Sequence, residues 1–373
     1  MNMNKEISVG KKFNKEVYAL RFAFTTSCTL DCKYCFVKKD DQVFRSGQAE
    51  KILDVFLSSP GETKLLMIYG GEPLLHYPLL KRVIEFSRKA AAMNGKKLII
   101  SIGTNGILLN EESLVFFRDA DVKVSLTLDG QKPFHDKARR TKGKEGSFDA
   151  VIRNVPMLVT RMDGRSRCVL FGVLPTSVDV LFENFFYIIS LGFDSVNIET
   201  IQSPLFEWSD ARKQRFKSEM TRTVDYIYDN IGKGRFIFLN SINRELNDES
   251  LSKAYSEVSC PFYRNLEVYP DGKMTFSPFL MNSPEKESYI VGTVDAGFIG
   301  KYSACMYDSR SERCQRCFSE YGPSCRSEKI LADDVVKIRN VYSIYMARKI
   351  LERAKVDILF RRYIDEARER VFE

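Results

Sequence analysis

Cys28, Cys32 and Cys35 stand in the spacing C-x3-C-x2-C, three thiols within eight residues. A loop this short can offer three thiolates to three corners of a cubic [4Fe–4S] cluster, and the fourth iron then stays open to a substrate or cofactor. Zinc is the competing occupant. It usually asks for four neighbouring ligands, or three and a water, in C-x2-C or H-x3-H spacings. Three unrelated thiols are the remaining alternative.

A second group lies far along the chain: Cys260, Cys305, Cys314, Cys317 and Cys325. Cys260, Cys314, Cys317 and Cys325 suit one fully ligated auxiliary [4Fe–4S] cluster, with a structural zinc on the same thiolates as the competitor. Two auxiliary clusters would need about eight ligands. Cys168 falls inside the strand pattern CVLFGVL and is expected in the core.

The elements that must position these thiols alternate between strand and helix. VYALRFAF (17–24) reads as a strand that delivers the first cysteine loop, and KLLMIY (64–69) as a strand ending at Gly70-Gly71-Glu72-Pro73. A helix is expected from Tyr77 to Met93, then a strand KLIISIG (97–103) before Thr104-Asn105-Gly106. Asn110 is a helix N-cap with Glu111 and Glu112 in the first turn. VKVSLTL (122–128) runs into Asp129-Gly130, a helix follows from Phe148, and further strands fall at 168–174 and 195–201. Helices are expected near 178–191 and over 208–231.

Six strand–helix units predict parallel strands with right-handed crossovers, an α/β partial (β/α)6 TIM-like barrel over residues 1–235. Chemistry in such barrels sits on loops after the strands, where every unusual motif here falls. Beyond it, LEVYPDGKMTF (266–276) reads as a β-hairpin turned at Asp271-Gly272, opening a small cysteine-rich auxiliary-cluster domain over 255–330. A helical tail closes the sequence over 331–373.

Composition sets broad bounds. The 44% apolar and 28% charged content is that of a globular chain, and the net charge of +8 comes from scattered basic residues that read as a solvated surface. No nucleic-acid module is recognisable, no signal peptide precedes the first strand, and no run approaches the ~18 apolar residues of a membrane span. A cytoplasmic protein is expected, in which nine cysteines serve as ligands or reactive thiols rather than disulfides.

C-x3-C-x2-C-F followed by Gly70-Gly71-Glu72-Pro73 resembles the radical S-adenosylmethionine (SAM) superfamily. The resemblance continues through Thr104-Asn105-Gly106 and Leu126-Thr127-Leu128-Asp129-Gly130. His135-Asp136-Lys137-Ala138-Arg139 and Gly146-Ser147-Phe148-Asp149 are similar to the branch with SPASM or twitch auxiliary domains, which holds anaerobic sulfatase maturases and peptide-modifying enzymes. It spans roughly residues 17–330.

The resemblance implies that SAM binds the open iron and is cleaved reductively to a 5′-deoxyadenosyl radical, with the cofactor carrying the hard chemistry. It implies SAM contacts from Tyr34, from Phe36 as a wall beside the adenine, from Gly70, Gly71, Glu72 and Pro73, and from Thr104 and Asn105. Gly71 would hold the amino end, Thr127 the ribose hydroxyls and Arg139 the carboxylate, with Gln202 a weaker contact. His135 is expected to orient its loop rather than move protons. Cys305 is left as an alternative ligand, a radical-quenching thiol or a buried bystander.

Ser277 stands where the full SPASM pattern has a cysteine, and no cysteine follows Cys325. Ser277-Pro278 also departs from the sulfatase-maturase motif. The expected reaction is hydrogen abstraction from a peptide or protein side chain, forming a crosslink or oxidised residue in a ribosomally made peptide. Alternatives are formylglycine-type maturation, change to a small molecule such as an aminosugar, or a non-enzymatic iron–sulfur scaffold. An electron donor such as flavodoxin or ferredoxin is implied. With only 27 residues before Cys28, leader-peptide recognition is expected to fall to a separate protein or to direct grip of the substrate. No residue stands out as a catalytic base.

Overall fold

The computed structural model describes residues 17–201, 205–247, 265–275, 290–298 and 334–370. Six strands, β1 (Ala19–Thr25), β2 (Thr63–Gly70), β3 (Lys97–Thr104), β4 (Val122–Thr127), β5 (Arg167–Val173) and β6 (Ser195–Thr200), lie side by side in chain order, all parallel. Helices link them: α1 (Ser46–Ser58), α2 (Tyr77–Met93), α3 (Glu111–Asp119), α4 (Lys132–Ala138), α5 (Phe148–Ile152), α6 (Val155–Arg161) and α7 (Leu181–Ser190). The long α8 (Asp210–Ile231) follows β6. This is the expected α/β partial TIM-like barrel. Two of its helices, α1 and α4, were not expected from the sequence.

Alternation along each strand separates two faces. Leu20, Phe22 and Phe24 of β1, Leu66 and Ile68 of β2, and Val124 and Leu126 of β4 belong to the hydrophobic layer under the helices. The residues between them, Arg21 and Ala23, Met67 and Tyr69, Ser101 and Gly103, Ser125 and Thr127, face the opposite, inner side. On α2, Leu80, Val83, Ile84, Ser87, Ala90 and Ala91 are buried at helical spacing, the stripe a crossover helix must lay on a sheet. Asn110 caps α3 in a reciprocal capping box with Ser113, as its position predicts.

The parallel sheet extends at both ends. A short β7 (Phe238–Leu239) adds to β6, and α9 (Asn240–Asn247) follows it. On the other side β8 (Asn265–Val268) pairs parallel with β1, in the register Arg21–Glu267 and Phe22–Val268. β8 and β9 (Lys273–Thr275) form the expected hairpin at Asp271-Gly272, where Gly272 takes φ +80° and its N–H donates to Tyr269 O at 2.8 Å. β10 (Gly292–Thr293) and β11 (Gly297–Phe298) extend it antiparallel, so hairpin and barrel share one sheet.

The tail is helical where described, in α10 (Asp334–Ala354) and α11 (Ile358–Arg368). Arg370, just past α11, bonds Gly164 O, Asp194 Oδ1 at 3.2 Å and Ser195 Oγ at 3.0 Å, and lies 4.0 Å from the Phe238 ring centroid. No helix among the described residues is long and apolar enough to cross a membrane.

Candidate functional site

The cysteine loop is seated by the strand-end glycines beside it. Gly71 N–H donates to Thr25 O and Glu72 N–H to Ser27 O, each at 2.7 Å. A Cβ on Gly71 would stand 2.0 Å from Ser27 O, and one on Gly70, at φ +137°, 2.2 Å from Thr25 O. Only glycine lets β2 press so close under the loop. These glycines therefore set the height of the cysteines first.

Glu72 is fully buried and its carboxylate is in use. It accepts from Leu74 N at 3.1 Å, Thr104 Oγ1 at 2.9 Å and Asn105 N at 2.7 Å, which ties the ends of β2 and β3 together. Pro73, also buried, opens the short 3-10 turn that Glu72 caps. Burial raises the Glu72 carboxyl, and the three donors oppose that shift. Asn105 passes the restraint on: its Nδ2 donates to Thr29 Oγ1 at 2.9 Å and approaches Cys28 Sγ at 3.8 Å. The structure thus places Glu72, Thr104 and Asn105 as a brace behind the loop.

Within the loop, Leu30 N–H points to Cys28 Sγ at 3.4 Å, and Cys35 N–H closes a turn on Cys32 O at 3.1 Å. A backbone N–H on sulfur favours the thiolate that iron ligation requires. Burial raises the Cys28 thiol and pushes Cys32 up to about 11. Among the described residues, no three His, Cys, Asp or Glu side chains converge on one point as a single metal ion needs. Thiolates that each hold a different iron of a cluster need not converge so closely.

Across the loop runs a buried relay. Arg139 Nη1 donates to Tyr34 Oη at 2.7 Å, and Tyr34 O–H donates to Asp129 Oδ2 at 2.6 Å. Asp129 Oδ1 accepts from Gly172 N at 3.1 Å. Tyr34 is therefore a neutral phenol between a guanidinium and a carboxylate. Burial opposes the charge on Arg139, but Tyr34, Cys32 and Asp129 together hold it above the usual range. Arg139 Nε is buried without a hydrogen-bond partner, a donor left over for a ligand.

The two motif segments after β4 exist to seat that arginine. His135 Nδ1 accepts from Asp129 N–H at 3.3 Å, which leaves the proton on Nε2, 3.0 Å from Ser147 Oγ. Ser147 Oγ donates to Arg139 O at 2.9 Å, and Asp136 Oδ1 accepts from Phe148 N at 2.9 Å. His135 is orienting, as expected. Asp129 and Gly172 were missed as partners, although the turn signal Asp129-Gly130 marked the place.

Thr127 is half-buried at the end of β4, on the same face as Asp129. Phe36 packs against Tyr69 beside the loop, centroids 6.3 Å apart. Cys168 is buried, on the inner face rather than in the helix-packed layer, with Asn240 Nδ2 at 3.5 Å. Gln202, Cys260, Ser277, Cys305, Cys314, Cys317 and Cys325 lie outside the described residues.

Residues 22–201 match the model of the Radical SAM superfamily, and this part of the chain is a radical SAM domain. The similarities of the chain support the SPASM-type branch of that superfamily. It is 28% identical over 156 residues to a serine-type anaerobic sulfatase-maturating enzyme of Bacteroides thetaiotaomicron, covering 39% of this chain and 37% of that one. A cysteine-type counterpart from Clostridium novyi is 29% identical over 143 residues, covering 36% and 38%. The chain thus matches less than two-fifths of the length of these curated relatives.

The fold of native anSMEcpe with bound AdoMet superposes with a TM-score of 0.65 at 19% identity, covering 83% of this chain and 88% of that one. Streptococcus suis SuiB bound to precursor peptide SuiA gives 0.53 at 13%, covering 82% and 70%. The radical SAM match and the AdoMet-bound neighbours support a [4Fe–4S] cluster and SAM as cofactors, and an auxiliary cluster fits the same relatives. The described residues suit the first pair: three thiols on one loop, a thiol-directed N–H, and an orphaned guanidinium donor beside them.

Proposed function

We propose that this chain modifies a side chain of a peptide or protein, after abstracting a hydrogen atom from it. The observation that carries the SAM half of the reading is the Arg139–Tyr34–Asp129 relay beside the cysteine loop, whose spare Arg139 donor suits the carboxylate of an amino-acid ligand. When bound, the cluster supplies the electron that cleaves SAM. The protein's own share is to hold and orient.

Cys28, Cys32 and Cys35 ligate the cluster, Arg139 takes the SAM carboxylate, and Thr127 faces the ribose. Phe36, backed by Tyr69, forms the adenine wall. Peptide chemistry is supported by SuiB, a structural neighbour bound to a precursor peptide, and by the sulfatase-maturating relatives. The same relatives support formylglycine-type maturation as a second reading.

An electron donor of the flavodoxin or ferredoxin kind and a separate leader-recognition protein complete the proposal. Anaerobic reconstitution with SAM and dithionite should give 5′-deoxyadenosine and about eight irons per chain. A short precursor peptide should change mass in the same mixture. Absence of 5′-deoxyadenosine sinks the cofactor assignment, and a SAM-cleaving enzyme that alters no peptide but alters a sugar or amino acid sinks the substrate class.

A further inference from the structure

The inner wall carries an arginine and a glutamate that the cofactor site does not use, and burial raises the glutamate's carboxyl while the arginine opposes that shift. Arg21 of β1 and Glu267 of β8 sit opposite each other in the parallel register. Their neighbours Leu20, Phe22, Leu266 and Val268 all enter the hydrophobic layer, so both charged side chains face the barrel interior. Glu267 is 1% exposed, yet neither carboxylate oxygen has a hydrogen-bond partner among the described residues, and Arg21 Nε is likewise unpartnered.

Tyr69 joins them. It lies one pair up the wall, in register with Ala23, and its buried hydroxyl also lacks a partner. Its ring meets Phe36, the residue after Cys35. A path of unmet polar groups therefore runs from the cysteine loop down the inner face, Tyr69 first, then Arg21 and Glu267. Arg21 is four residues before Thr25, ~13 Å below the strand end at the usual rise.

Buried donors and acceptors are normally paired, so three unpaired groups on one wall mark a place that something else completes. The chemistry of the pair narrows what that is. A cation would be repelled by Arg21, and an anion would leave the Glu267 carboxyl without a donor or be repelled by it when ionised. A neutral group with a donor and an acceptor on one edge satisfies both, and the amide is the common one.

We infer that Arg21 and Glu267 form a substrate-gripping wall that takes an amide of the modified peptide, its N–H on the carboxylate and its C=O on the guanidinium, with Tyr69 Oη reaching the same chain nearer the cofactor. This rests on the peptide reading above and deepens it. The amide can come from the backbone or from an Asn or Gln side chain; the recognition is the same. A free amino acid, which brings an ammonium and a carboxylate, is the rival occupant.

Two measurements judge the wall. The first follows deuterium transferred into 5′-deoxyadenosine from a perdeuterated precursor peptide and, separately, from perdeuterated free amino acids, scored as deuterium per deoxyadenosine formed. Wild-type enzyme should take deuterium from the peptide, and Arg21→Met/Glu267→Met should lower that ratio at least about tenfold, the loss of one charge-assisted contact. Transfer from amino acids alone, or an unchanged ratio in the double variant, overturns the inference.

The second needs no substrate. A pair kept for binding costs the free protein stability, so the double variant should melt at or above the wild-type temperature. A fall of more than about 5 °C makes the pair a structural ion bridge and overturns the wall. Should neither probe yield deuterium in wild type, the peptide reading fails, and the melting comparison alone decides whether the wall is a binding surface.

Discussion

His135 shows how one buried side chain sets the state of a site it does not line. Burial, and then the nearby Arg139 cation, lower its pKa from 6.5 to about 2. The folded protein keeps it neutral while an unfolded chain takes a proton below about pH 6.5. Its contribution is therefore whole above that pH and lost as the pH falls toward 2, by up to ~1.4 kcal/mol per pH unit. The melting temperature of wild type should drop more steeply between about pH 6.5 and 4.5 than that of His135→Asn, followed by circular dichroism. Parallel slopes would show that another group titrates.

At this scale the sequence was legible where chemistry demands a residue type and silent where geometry does. Cys28, Cys32, Cys35 and Arg139 are readable because thiolate and guanidinium have few substitutes. Glu72 and Asn105 come from the same motifs, but their side chains turn back to brace the loop. Only the fold reveals that inward turn. Glu267 carried no signal at all, because its role depends on which strand it adds to.

Between elements, the decisive contact is the approach of β2 to the cysteine loop. Gly71→Ala would put a methyl 2.0 Å from Ser27 O, a backbone atom with nowhere to go. Iron per chain after reconstitution should fall by about half or more, since the first cluster is one of two expected. Gly47→Ala makes a matched control, because nothing lies within 4 Å of that Cβ in α1, and a helical alanine should add ~0.5–1 kcal/mol. Equal iron in both proteins would show that the loop tolerates the shift. The alternation of β2 and β3 with α2 was clear from sequence, because their apolar periods are long and regular. α1 escaped notice behind a polar start with no side-chain cap.

Over the whole molecule, the tail returns to the barrel floor through Arg370. Its side chain is 5% exposed and ties Gly164, Asp194 and Ser195, which come from the segments around β5 and β6. Arg370→Met should cost roughly 1–3 kcal/mol in urea unfolding, as Gly164 O and Ser195 Oγ lose a buried charged donor. SAM cleavage per folded molecule should not change, because the floor lies at the far end from the cysteine loop. A loss of cleavage at full folding would mean that the tail reaches the chemistry. The hairpin at Asp271-Gly272 was foreseen, but its attachment to β1 was not: a parallel pairing between strands so far apart leaves no local mark.

That attachment has a consequence for how the protein is made. β1 leaves the ribosome well before β8, the strand that flanks it on that side, which lies some 246 positions later. Until then the nascent sheet carries a bare margin of backbone amides next to the cysteine loop, open to pairing with any extended peptide nearby. Arrival of β8 ends that vulnerable interval, so the cysteine loop and its neighbouring wall mature late in synthesis even though most of their residues are translated first.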